Sequence, residues 1–285
     1  MQKKYTIISD SSCDLKSTHL TCAQIDFVTA PIFCIVGGIE HVDHEDTDVV
    51  ELLAKMKQSK TASKTACPSP ETFAEQMRAG NENIICVTLS SKLSGTYSSA
   101  MMAAETVRTE QPDKQIFVLD SLTTSAGLAR LLHKLVDLIK SEKFSFAEIT
   151  QQITDFRGRN RIRFFLNDLS NFVKSGRMSK VAGIISSIIP IKLLCGDNGE
   201  GEVKKYKQVI GFKKAVEALS EFPGESLKTE GVDNPIFISH CNSEENASLL
   251  KKLLECKFGF KNIKTFLMRG TATTLANEKG LTLAY

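Results

Sequence analysis

Short apolar, β-branched runs that stop at polar turn residues alternate along the chain with longer stretches whose apolar positions recur every three or four residues. The runs YTIIS, IDFVTAPIFCIV, IICVTL, QIFVLD and IRFFLND predict strands. Between them DVVELLAKMKQ, SPETFAEQMRAG, GTYSSAMMAAETVRTE and SAGLARLLHKLVDLIKSEK predict amphipathic helices. Helix punctuation agrees: in CPSPETF, Ser69 can cap, Pro70 suits the first helical position, and Glu71 faces the positive end of the dipole. This alternation is the βαβ rhythm of a parallel sheet covered by helices.

After about residue 150 the texture changes. KLLCGDNGEGEVKKYKQVIG reads as a hairpin, FKKAVEALSEF as a helix, and IFISH, SEENASLLKKLLECKF and KTFLMRG as strand, helix and strand. The expectation is an α/β protein of two domains. Residues 1–152 form a parallel-sheet domain, and residues 153–285 form an α/β domain whose sheet is partly antiparallel.

Composition narrows the class. With 42% hydrophobic and 24% charged residues, the 285-residue chain can bury a large core. A net charge of +3 is too small to imply a nucleic-acid partner, and no stretch reaches the ~18 apolar residues of a membrane span. The densest basic stretch, Arg157, Arg159, Arg161 and Arg163, would fall on one face of a strand; a polar helix end leading into a solvated strand explains it as well. Eight cysteines without a CxxC pair, several inside apolar runs, read as reduced buried thiols. The N-terminus lacks the apolar stretch of a signal peptide, so the expected location is cytoplasmic, without stable membrane anchoring.

Catalytic signatures are missing: there is no GxSxG, HExxH, GxGxxG after a strand, or GxxxxGK[ST]. HVDHEDTD, residues 41–48, carries six potential metal ligands, but it reads better as a solvated loop in which Thr47 or Asp48 caps the next helix. No cofactor is expected. The stronger signal is hydroxyls. SDSS, TLSSKLSGT, DSLTTSAG and SHCNS each follow a predicted strand, and in an open parallel sheet such ends line the ligand crevice. Hydroxyl donors and helix N-termini suit a small anion such as a carboxylate. Gly95, in LSGT, would let the backbone approach a ligand closely or turn sharply. Lys174 and Arg177, just ahead of the apolar GIISSIIPI, add cations. An anion site beside a large apolar surface describes a receptor for an amphipathic acid. The competing reading is a serine esterase or a phosphotransferase component using the Ser94 loop, which would need a histidine such as His240 from elsewhere.

The segments SDSSCDL, TACPSPETF, VTLSSKLSGTYSSA, VLDSLTTSAG, LNDLSNFVKSGRMS and GFKKAVEAL occur in the order and spacing of the DegV family of bacterial fatty-acid-binding proteins, which the chain resembles over nearly its whole length. The resemblance implies a non-enzymatic lipid carrier holding one long-chain fatty acid in a ligand tunnel between the two domains, with its carboxylate bonded by Thr65, in KTACP, and Ser94, in LSGT. The full expected ligand set is Thr65, Ser94, Gly95, Ser91, Ser125 and Arg177. It also implies a partner in some relatives, a separate fatty-acid kinase subunit that phosphorylates the bound carboxylate. Three departures stand out: Ala66 and Cys67 replace a polar pair, Leu275 occupies the place of a histidine near the head group, and Ile210 that of an arginine.

Overall fold

The computed structural model describes residues 4–168, 170–177, 191–225 and 231–285. Most of the apolar GIISSIIPI segment and part of the PGESLKTEG loop lie outside these residues.

The parallel sheet consists of β1 (Tyr5–Asp10), β2 (Ile25–Ala30), β6 (Asn83–Thr88) and β7 (Gln115–Asp120), in the order β2-β1-β6-β7. Its strands are apolar on both faces, and alternation sorts them. Ile8, Ile84 and Cys86 pack on α2 (Pro70–Ala79) and α3 (Thr96–Glu110), while Ile7, Ile85 and Val87 face α4 (Ala126–Lys140). As expected, the Ser69 hydroxyl accepts the Thr72 N–H at the start of α2. The run IDFVTAPIFCIV is divided at Pro31: its first half is β2, and its second half, β3 (Phe33–Val36), leaves for a small antiparallel sheet with β4 (Ile39–Val42) and β5 (Lys64–Ala66). Proline has no N–H for a ladder, so a strand changes partners readily there.

The second sheet is mixed, in the order β10-β9-β8-β13-β11-β12. Its members are β8 (Ile162–Phe165), β9 (Ile191–Asp197), β10 (Val203–Ile210), β11 (Ile236–His240), β12 (Ile263–Leu267) and β13 (Leu281–Ala284). β11 and β12 are parallel and the other pairs antiparallel, as expected of the C-terminal half. One face is covered by α7 (Phe212–Glu221) and α8 (Glu244–Phe258), through Val216, Leu219, Leu250 and Leu254.

α4 is the layer between the two sheets. Its residues Ala126–Leu132 are all buried, and its core joins Ile7 and Ile85 of one sheet to Phe237 and Ala284 of the other. The expected division after residue 152 falls inside α5 (Phe146–Arg159), which opens on a capping box of Ser145 and Glu148. α5 also corrects the reading of the arginines. Arg157 and Arg159 end that helix, whereas Arg163 lies in β8, buried, with Nη1 3.0 Å from Asp197 Oδ2 and its guanidinium carbon 4.0 Å from the Tyr206 ring centre. The four do not form one face, and Arg163 is part of the core. Two further helices, α1 (Val49–Gln58) and α6 (Ser170–Lys174), pack against α9 (Gly270–Ala276), which follows β12 and also meets β3 and β5. Among the described residues no helix is long and apolar enough to cross a membrane.

Candidate ligand cleft

A cleft with about 60 Å³ of free internal space opens between the two sheets. Its apolar wall comes from both halves. Ile32, Leu89 and Leu93 contribute from the parallel-sheet side, Ile162, Phe164 and Leu166 from β8 and its end, and Met268, Ala272, Leu275 and Ala276 from α9 and the residues before it.

The polar side chains on the lining divide by whether their donors are already used. The Ser125 hydroxyl donates to Asp14 Oδ2 at 2.5 Å, and Thr282 Oγ1 lies 3.0 Å from the same Ser125 oxygen. A hydroxyl has one hydrogen, so Thr282 donates to Ser125 and both are committed. Thr271 donates to Asp43 Oδ2 at 2.6 Å. Arg177 is different: Nε donates to the Leu93 carbonyl at 2.9 Å and Nη2 to Thr65 Oγ1 at 3.2 Å, which leaves further guanidinium N–H groups. Because Thr65 accepts there, its own hydrogen remains for another acceptor. Ser94 Oγ lies 2.9 Å from Thr96 Oγ1 and accepts the Thr96 N–H at 3.4 Å. With Thr96 donating, Ser94 keeps its hydrogen. Thr124 lines the same cleft with no hydroxyl partner among the described residues. Arg177 has no carboxylate within ion-pairing distance among them either, and burial pushes its pKa below the ordinary arginine value. A half-buried cation without a counter-charge is a ready anion site.

Behind the cleft runs a web of buried carboxylates. Asp10 accepts the Ser12 N–H and hydroxyl on one oxygen and the Leu89 N–H, at 2.7 Å, on the other. Asp14 takes the Arg269 N–H at 3.0 Å besides the Ser125 hydroxyl. Burial raises the pKa of each to about 6, against the pull of these hydrogen bonds. Asp43 accepts the N–H groups of Gly270 and Thr271 at 2.9 and 2.8 Å, so it caps α9 from a distant loop, and Arg269 Nη2 donates to its carbonyl. The expected solvated loop is therefore corrected at Asp43, which is 1% exposed. Asp48 does cap α1, through Val50 and Glu51. Among the described residues no group of three or more histidine, cysteine or acidic side chains is placed to hold a metal.

Of the residues expected from sequence, Thr65, Ser94, Ser125 and Arg177 meet at the cleft. Ser91 is exposed outside the lining, where its N–H donates to Asp120 Oδ1 at 3.0 Å. Gly95 also lies off the lining. Its φ of −73° is open to any residue and a Cβ would sit 3.6 Å from Cys67 Sγ, so no close approach demands glycine there. The glycine that sterics do require is Gly201: with φ at 85°, its carbonyl accepts the Ser90 hydroxyl, and a Cβ would fall 2.4 Å from that oxygen. The hydroxyls of SDSS are consumed internally, Ser9 on the Val87 carbonyl and Ser12 on Asp10. SHCNS ends β11, a strand of the mixed sheet and not of the parallel one. His240 there accepts the Ser243 N–H. Leu275 lines the cleft, whereas Ile210 is exposed at the end of β10. Sequence reasoning did not single out Thr124, although it lies in the TTSAG cluster, nor the Asp14–Arg269 web, whose partners are 255 residues apart.

A family model described as "Uncharacterised protein, DegV family" matches residues 4–284. A DegV domain-containing protein of Streptococcus gordonii is 31% identical over 281 residues, covering 99% of this chain and 98% of the relative. Among solved structures, the Streptococcus pneumoniae fatty acid kinase B3 protein loaded with linoleic acid superposes with a TM-score of 0.91 at 28% identity, covering 99% of both chains. A DegV-family protein of Ruminococcus gnavus refined with vaccenic acid gives a TM-score of 0.90 at 27% identity, again over 99% of both.

Proposed function

The chain belongs to the DegV family, and we propose on that premise that it binds a long-chain fatty acid and acts as a carrier, without turning it over. The observation that carries this reading is the division of donors in the cleft. The lining is mainly apolar, and its uncommitted donors include Arg177, Thr65, Ser94 and Thr124. A carboxylate placed among them receives charge-assisted hydrogen bonds and gives Arg177 the counter-charge it lacks among the described residues. The acyl tail against Leu93, Phe164, Leu166, Met268 and Leu275 gains about 0.8 kcal/mol for each CH₂ removed from water. Most of the affinity thus comes from the tail, and the head group sets orientation.

The same geometry argues against the esterase alternative. The Ser94 hydroxyl faces Thr96, a neutral hydroxyl that cannot take its proton, and among the described residues lining the cleft there is no histidine. Similarity to the fatty acid kinase B3 protein supports presentation of the bound carboxylate to a separate kinase subunit, with Leu275 making this chain's head-group surroundings more apolar than a histidine would.

Native mass spectrometry of protein purified from a bacterial host tests the reading. An added mass of one fatty acid, displaced by excess oleate or palmitate, is expected. Absence of any bound or added acyl chain would sink it. Hydrolysis of acyl esters by the isolated chain, abolished by Ser94→Ala, would instead establish the esterase.

A further inference from the structure

A second, more open cavity of about 500 Å³ lies against α1, the segment leading into β5, and α6. Its character is the reverse of the cleft's: polar groups dominate. The acceptors in its wall are largely used. Asp168 takes the Ser170 N–H and hydroxyl and the Asn277 amide, and Glu278 takes the Asn242 amide. Asn171 Oδ1 accepts the Ser63 N–H at 3.3 Å, and its amide donates to the Thr274 carbonyl at 3.1 Å.

Four of its donors stay open. Lys57, Lys60 and Lys174 have no carboxylate within ion-pairing distance among the described residues. Ser63 is 3% exposed, yet its hydroxyl has no partner among them. Lys192, itself 7% exposed, donates to Asn167 Oδ1 at 2.6 Å and so turns the Asn167 amide hydrogens away from itself, as donors. Three ammonium groups outnumber the two carboxylates of the wall, Asp168 and Glu278, and complement a compact ligand with several acceptor oxygens and negative charge.

We infer that this cavity is a binding site for a small phosphate-bearing anion, held by Lys57, Lys60 and Lys174 with the buried Ser63 hydroxyl at its base. The inference concerns a different cavity from the acyl cleft and stands independently of the function proposed for that cleft.

The test is a titration of the full-length protein with inorganic phosphate and, separately, pyrophosphate and a simple phosphomonoester, followed by amide NMR at ionic strength held constant with sodium chloride. Saturable shifts confined to residues around 57–63 and 167–174 are expected, with pyrophosphate binding tighter than phosphate. Stronger binding of the phosphomonoester than of free phosphate would identify an organic phosphate as the ligand class, and the reverse would identify the free ion; either supports the site. Lys57→Gln with Lys60→Gln should weaken binding about tenfold, and Ser63→Ala by a smaller factor. Both lysines are exposed, so the fold should be unaffected. Shifts that do not saturate, that chloride reproduces, or that persist unchanged in the double-lysine variant would overturn it. Fatty-acid occupancy by mass spectrometry, measured on the same samples, reports separately on the cleft.

Discussion

The edge of the parallel sheet and the Thr65–Arg177 end of the cleft are both rich in small polar side chains, yet they do opposite work. At the sheet edge four serine hydroxyls have protein acceptors, Ser9 on Val87, Ser12 on Asp10, Ser90 on Gly201 and Ser125 on Asp14, while the buried hydroxyls of Thr88 and Thr123 have no partner among the described residues. At the cleft end Arg177 is held by a carbonyl and a hydroxyl, two neutral acceptors, and retains most of its charge-binding capacity. A hydroxyl's position on a strand end therefore says little about ligand binding until its hydrogen is accounted for.

The largest expected effect tests the structural side. Asp43→Ala strips the acceptor from two N–H groups and the Thr271 hydroxyl, all buried, and removes the carboxylate beside Arg269. A loss of about 3 to 5 kcal/mol should appear in urea unfolding, and a loss below about 1 kcal/mol would show that the web is not holding α9.

Next is pH. The Asp14 carboxyl titrates near 6 when folded, above its ordinary value, so the folded protein binds that proton first on acidification. Its contribution is complete below the unfolded value and lost as pH rises through about 6. The stability advantage of the wild type over Asp14→Asn should accordingly shrink by about 3 kcal/mol between roughly pH 4 and pH 7. A constant difference across that range would contradict the assignment.

On the ligand side, Arg177→Met should weaken fatty-acid binding by roughly ten- to a hundredfold while leaving the urea midpoint nearly unchanged, since no carboxylate among the described residues loses a partner. Unaltered affinity would remove Arg177 from the head-group site. The smallest effects sharpen the contrast. Thr65→Val, nearly isosteric, should cost roughly fivefold in affinity, about 1 kcal/mol, and Ser91→Ala nothing; displacement of a fluorescent fatty-acid analogue reads both. Equal losses from the two would erase the distinction between a hydroxyl on the cleft lining and one on the surface outside it.

Much of the architecture is legible because periodicity reports burial directly. Ile7 and Ile8 fall on opposite faces, and the apolar spacing of α4 marks the residues it buries between the two sheets. α5 hides in a polar segment, although Ile149, Ile153 and Phe156 keep a helical spacing behind its capping box. β5, three residues long, and α9, poor in strong helix formers, offer no pattern to read. Thr65, Ser94 and Arg177 emerge from motif resemblance. Which hydroxyls stay open does not, because that depends on partners such as Ser125 and Asp14, 111 residues apart. Asp43 shows the limit most clearly: in a run of charged residues its local surroundings look solvated, and its burial is imposed by α9, more than 220 residues later.

That last contact has a consequence for the order in which the molecule is made. The cap of α9 and the Arg269 contact with Asp14 each join residues more than 220 positions apart. Contacts of such separation close late, because a long loop must be ordered before they repay it. On the ribosome Asp14 and Asp43 must wait, still solvated and ionised, until Arg269 and α9 have followed. The wall carrying Met268, Ala272 and Leu275 is then put in place by the same event that buries them, so a nascent chain has no finished cleft to fill before α9 has emerged.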